Sequence, residues 1–218
     1  MGAGRTPGRH ARYPGYDVLG QAPTWDPVTK GVVLRRLGPT PPLRFFSVEE
    51  EAVARPMLDR LLAQDEEPRI PVFEQIDARL AEQQTDGWHY EDLPPDGEAW
   101  RASLAALSSD AGERFGRGFA ELGARQQKDL LEAVRTGERW HGLPAGRIWN
   151  LWIRYAVTAF YAHPWSWNEI GFGGPAYPRG YKNIDLDGLE PWEHHEAEPV
   201  DAEAWARRVE QAQRDHGA

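Results

Sequence analysis

"PAGRIWNLWIRYAVTAFYAH", residues 144–163, is the most apolar stretch of the chain, with bulky side chains on nearly every face of a helical projection. A helix that is apolar all round must be enclosed by its neighbours. The segment therefore predicts the central helix of an α-helical core. Pro164 follows at once and breaks or bends that helix. Beyond it, "PWSWNEIGFGGPAYPRGY" (164–181) combines aromatic residues with glycines and prolines in a composition that suits a shaped loop rather than a helix or strand.

Working towards the N-terminus, "FFSVEEEAVARPMLDRLLAQ" (45–64) opens with a strong helix start. Ser47 can accept from the backbone of the first turn, Glu50 stands three residues on for a capping box, and Phe46 can staple the entry. Val53, Met57, Leu58, Leu61 and Leu62 recur at three and four residues, with Pro56 as an expected kink. A second helix follows Pro71, with Val72, Ile76 and Leu80 at a spacing of four. A third is expected around Glu98–Leu107, and further helices over 111–122, 125–136 and 201–215. Neither a strand ladder nor an internal repeat is visible. The class is mainly α, a single irregular helical bundle over 45–200 with an extended Pro/Gly-rich N-terminal arm over 1–44. A long Gly/Pro/aromatic loop lies near the C-terminus, and a short helix falls within 201–218. The arm is extended by Pro39, Pro41 and Pro42, yet residues 13–37 are too apolar for a solvated tail. Two readings stay open for it: packing on its own domain or lying on a partner.

Composition narrows the functional classes. A formal charge of -9 over 218 residues, with no basic run, argues against a nucleic-acid partner. The absence of cysteine excludes disulfides, iron-sulfur clusters, thiolate zinc and covalent c-type haem attachment in this chain, without fixing its compartment. No apolar run approaches the ~18 residues of a membrane span, so no direct membrane insertion is expected. The Gly/Arg-rich start and Arg35-Arg36 lack the apolar segment of a secretory or twin-arginine signal. The expected location is cytoplasmic, or periplasmic if the chain is exported with a partner. Ten tryptophans in such a chain raise the expectation of a protein interface.

Three chemistries can be tested against the 163–181 stretch. A phosphate-binding loop needs a strand-loop-helix context and spaced glycines; "GFGGP" has neither, and Pro175 removes an amide donor. An acid-base pair of His163 and Glu169 would make a stand-alone enzyme. A histidine at a helix end, however, also serves to cap terminal backbone groups. His194, His195 and Glu196 lack the further ligands of a metal site, and no GxSxG or HExxH motif occurs. The remaining readings are a small-molecule binding module and a recognition surface, since Trp, Tyr and Arg dominate binding energy at interfaces.

Longer blocks carry a resemblance. "FFSVEE" (45–50), "IPVFEQIDARLAE" (70–82), "DGWHYEDLPPDGEAW" (86–100), "WHGLP" (140–144), "YAHPWSWNEIGFGGPAYPRGY" (161–181) and "EPWE" (190–193) together resemble the gluconate 2-dehydrogenase subunit 3 family, over roughly residues 43–193. The resemblance implies a small, mainly helical, non-catalytic subunit with stabilising or chaperone-like duties. Its partner would be a large flavoprotein of the glucose-methanol-choline oxidoreductase superfamily acting on sugars, sugar acids or alcohols, in some complexes beside a cytochrome subunit. Cofactors are then none in this chain, with FAD in the partner. The expected partner-binding residues are His163, Trp165, Trp167, Asn168, Glu169, Phe172, Gly173, Gly174, Pro175, Tyr177, Pro178, Arg179, Gly180 and Tyr181. The arm, residues 11–37, would wrap the partner and add area. Where many members carry a twin-arginine signal, this sequence has "GRHARYPGYDVLGQAPTWDPVT", which departs from an exported escort.

Overall fold

The computed structural model describes residues 13, 16–88, 90–183, 188–190 and 192–193. The chain is mainly α, and it divides into two compact units, one drawn from Met1–Gly31 and Trp167–Ala218 and the other spanning Val32–Ser166. In order, a 3-10 turn (Val18–Thr24) precedes α1 (Pro27–Arg35), α2 (Val48–Leu61), α3 (Val72–Ala81) and α4 (Asp96–Phe115). A second 3-10 turn (Phe119–Glu121) leads to α5 (Ala124–Thr136), the two-residue strands β1 (Arg139–Trp140) and β2 (Leu143–Pro144), α6 (Ala145–Tyr161) and α7 (Pro164–Ile170). The 201–215 helix and the His194–Glu196 segment lie outside the described residues.

In the Val32–Ser166 unit, α6 is the hub, packing against α3, α4 and α5. Its inward residues Ile148, Trp152, Tyr155 and Ala156 are essentially inaccessible. Burying a side chain of this size stabilises by about 1.5–3 kcal/mol, so the helix is held by its neighbours rather than by propensity. The polar atoms of those large residues are then accounted for one by one. Trp152 Nε1 donates to Ser103 Oγ at 3.0 Å, and Ser103 Oγ donates in turn to the Trp100 carbonyl at 2.9 Å. Tyr155 donates to Asp96 Oδ2 at 2.7 Å, and Arg154 reaches the same oxygen at 3.0 Å. Burial and the adjacent Asp96 carboxylate push the Tyr155 hydroxyl well above the usual phenol range, so it remains a donor.

The capping box of α2 forms: Ser47 Oγ accepts from Glu50 N–H, and Glu50 accepts from Ser47 N–H at 2.8 Å. Pro56 is accommodated inside the helix. The segment before α2 is pinned by Asp77 of α3, whose buried carboxylate accepts from the main-chain N–H groups of Arg44, Phe45 and Phe46 at 2.7, 2.9 and 2.9 Å. Three donors that no helix or strand would satisfy are thereby paired.

Three expectations are corrected. Residues Pro164–Ile170, read as the start of the loop, form α7, so the loop proper begins at Gly171. No separate helix covers 111–122: α4 runs on to Phe115 and stops at Gly116, whose φ of +66° provides a left-handed C-cap that glycine adopts at low cost. The residues after it form the Phe119–Glu121 turn instead. Within 1–44, residues 39–44 carry no helix or strand, whereas 18–35 carry the 3-10 turn and α1. Asp17 starts the turn by accepting from Leu19 N–H, and Asp26 starts the helix by accepting from Val28 and Thr29 N–H. The hairpin in "WHGLP" is a small addition: His141 and Gly142 both take positive φ, as a tight two-residue turn requires. It directs Trp140 Nε1 to Asp110 Oδ2 at 2.7 Å.

Candidate functional site

The 163–181 stretch begins at the end of the helical unit. His163 is buried at 2% exposure. Its Nδ1 accepts from Trp165 N–H at 3.2 Å, which caps the start of α7, and the Arg36 main chain bonds the ring as well. Arg36 in turn donates to the Ala162 carbonyl at 2.7 Å. The carbonyl cap at the end of α6 is thus an arginine, and the histidine caps the next helix. Burial lowers the His163 pKa to about 4, so the ring is neutral at neutral pH. Ser166 Oγ donates to the Phe160 and His163 carbonyls at 2.8 and 2.7 Å, closing the corner. Trp165 stacks edge-on against His163, with ring centres 5.0 Å apart.

The rest of the stretch lies in the other unit, and there it meets the N-terminal arm. Asn168, buried, accepts from Val18 N–H through Oδ1 at 2.8 Å. The Tyr16 hydroxyl donates to the Phe172 carbonyl at 3.1 Å. Burial raises the Tyr16 pKa, with the Arg179 charge opposing that rise. Three rings rest on bare glycine backbone. A Cβ on Gly171 would stand 2.5 Å from the Tyr13 ring, one on Gly173 2.6 Å from Trp192, and one on Gly174 2.7 Å from Trp25. Gly171 and Gly174 also hold positive φ, of +66° and +76°. Here glycine is required twice over, for backbone angle and for close approach.

Arg179 binds these pieces together. Its guanidinium donates to Gln21 Oε1 at 2.9 Å, Thr24 Oγ1 at 2.8 Å and the Gly173 carbonyl at 2.7 Å, and lies 3.8 Å from the centre of the Trp192 ring. Desolvation lowers its pKa. Glu190, ahead of Trp192, is buried and accepts from the Lys182 and Asn183 N–H groups. Glu190 and Trp192 therefore fasten the far end of the loop.

The predicted residues separate by exposure. Trp167, Asn168, Gly173 and Gly174 are buried, with His163 on the helical unit, while Trp165, Glu169, Pro175 and Arg179 are half-buried. Tyr177 is 70% exposed, Tyr181 48% and Phe172 38%; Pro178 and Gly180 are exposed as well. Ile170 and Leu189 are exposed apolar neighbours in the same unit. Sequence reasoning missed Tyr13, Val18, Gln21, Thr24, Trp25 and Trp192 as the loop's supports. The available signal was a buried-type residue, Trp25, inside a Pro/Gly-rich arm. Among the described residues no group of three His, Cys, Asp or Glu is arranged to hold a metal ion, and no helix is long and apolar enough to cross a membrane.

No curated protein and no solved structure gives a match to this chain. The family model for gluconate 2-dehydrogenase subunit 3 matches residues 48–174, from the first residue of α2 to Gly174 under the Trp25 ring. "PRGY" and "EPWE" stand beyond the matched span, which is shorter than the 43–193 resemblance. More than half of the sequence is covered, and on that ground the chain belongs to the gluconate 2-dehydrogenase subunit 3 family.

Proposed function

We propose that this chain is the small, non-catalytic accessory subunit of an FAD-dependent oxidoreductase complex of the glucose-methanol-choline type, acting on sugars, sugar acids or alcohols. Flavin and catalytic groups belong to the large partner chain, and this chain stabilises or assists the folding of that partner. Family membership carries the proposal. The docking surface is assigned to the 163–181 stretch, where Phe172, Tyr177 and Tyr181 offer exposed aromatic area of the kind that anchors interfaces. The complex is assigned to the cytoplasm, or to the periplasm where the partner carries the chain across.

A stand-alone enzyme using His163 and Glu169 is the weaker reading. His163 is buried, its Nδ1 accepts from a backbone amide and the Arg36 main chain bonds the ring as well, so it is poorly placed to exchange a proton with a substrate. The deciding experiment is co-expression of the tagged chain with a glucose-methanol-choline flavoprotein from the same source, followed by affinity capture. Flavin absorbance co-eluting with the chain in constant ratio is the expected result. Capture of the chain alone, with dehydrogenase turnover by it, would overturn the proposal.

A further inference from the structure

Among the described residues, loop 171–181 lies in no helix or strand. Phe172 N–H bonds the Trp167 carbonyl at 2.9 Å and Gly180 N–H the Ala176 carbonyl at 2.7 Å. Four of the contacts that fix the shape of "GFGG" come from residues roughly 150 positions away, beside those of Trp192 and Arg179 on Gly173. Tyr13 and Trp25 cover Gly171 and Gly174, Val18 N–H meets Asn168, and the Tyr16 hydroxyl meets the Phe172 carbonyl. Arg179 ties Gln21 and Thr24 of the arm to Gly173 of the loop. A loop of glycines loses much backbone entropy when held in one shape, and no ladder here offsets that loss. The arm supplies the holding contacts.

We propose that the arm is the positioning half of a two-part clasp, and that residues 171–181 present Phe172, Tyr177 and Tyr181 to the partner only while Tyr13 and residues 16–25 are seated on them. The functional half rests on the docking reading above; the structural half does not. The arm's rings face the chain's own glycines, so it acts by shaping the loop rather than by wrapping the partner. The same geometry specifies the partner's side of the contact. Arg179 is turned inward onto Trp192 and the arm, which leaves aromatic faces and tyrosine hydroxyls as the exposed recognition groups. They fit an apolar patch that offers hydrogen-bond acceptors, and binding through them depends weakly on salt.

The test is hydrogen exchange on the full chain, read peptide by peptide. With Trp25→Ala, amides in 168–181 exchange at least ten-fold faster. With Gly174→Ala, the reciprocal deprotection appears in residues 16–25, since coupling between two segments acts both ways. Tyr177→Ala leaves both segments at wild-type rates. If Trp25→Ala disrupts more than this unit, the milder pair Gln21→Leu and Thr24→Val, which removes the arm's bonds to Arg179 together with the local Thr24 hydroxyl bond to the Gln21 carbonyl, gives the same directional result. Wild-type exchange in 168–181 after either set of arm substitutions would overturn the clasp. Accelerated loop exchange with undiminished capture of the flavoprotein would instead overturn the docking role while leaving the clasp intact.

Discussion

The helical unit and the clasp reach a fixed structure by opposite means. In Val32–Ser166, apolar residues recur at helical spacing and bury one another, and buried polar atoms such as Trp152 Nε1 and the Asp96 carboxylate are paired within the core. In the clasp, side chains hold the main chain: rings on glycines, an arginine on two arm residues and a carbonyl, a carboxylate on two amides. The first arrangement is redundant and suits a scaffold. The second depends on a few long-range contacts, so single substitutions are expected to unfasten it without melting the helices.

The largest effect expected is in the scaffold. Trp152→Ala removes a fully buried indole and its bond to Ser103 and opens a cavity beside Trp140, costing about 3–5 kcal/mol. Chemical denaturation read by far-UV circular dichroism checks it, and a loss below about 1 kcal/mol would show that the core is less dependent on α6 than its packing implies. Gly174→Ala comes next, because it adds a Cβ at 2.7 Å from Trp25 where φ is +76°. Strain and clash of this kind cost about 1–3 kcal/mol. Helical signal should be preserved while the arm and loop become sensitive to proteolysis; joint loss of both would erase the distinction between the regions.

A pH series sharpens the same comparison at the corner between α6 and α7. His163 has an ordinary pKa of 6.5 when unfolded and about 4 in the fold. Between those values the unfolded chain binds more protons, so stability rises with pH in that window. The histidine's neutral, bonded state therefore contributes fully above about 6.5, and its contribution is lost progressively as pH falls to about 4. His163→Gln should lower stability at pH 7 and flatten this part of the curve, measured as the difference from wild type so that carboxylate titrations common to both cancel. The smallest effect is at Tyr177, 70% exposed: Tyr177→Ala should change stability by no more than about 0.5 kcal/mol.

What could be read from sequence follows the same division. The start of α2 was legible because Ser47 and Glu50 act within four residues, and α6 because a helix apolar on all sides has to be enclosed. The end of α4 was misread since Gly116 carries the stop through a backbone angle, which hydrophobic periodicity does not register. The arm's helices lie N-terminal to Pro39, Pro41 and Pro42, which do not control them, and Asp17 and Asp26 supply their local starts. In the loop, glycine density announced close approach. It did not announce that the approaching rings would be Tyr13, Trp25 and Trp192 of the same chain. Such pairings have no period, and only the three-dimensional arrangement separates the buried Trp167 from the exposed Tyr177.

The central proposal is that exposed aromatics on the clasp dock a flavoprotein. The most direct test is the affinity of the purified large subunit for the immobilised chain, compared between wild type and Tyr177→Ala/Tyr181→Ala at equal thermal stability. Removing two anchors is predicted to weaken binding by about 100-fold or more, with the unfolding midpoint unchanged. Equal affinity for both proteins, at equal stability, would contradict the account.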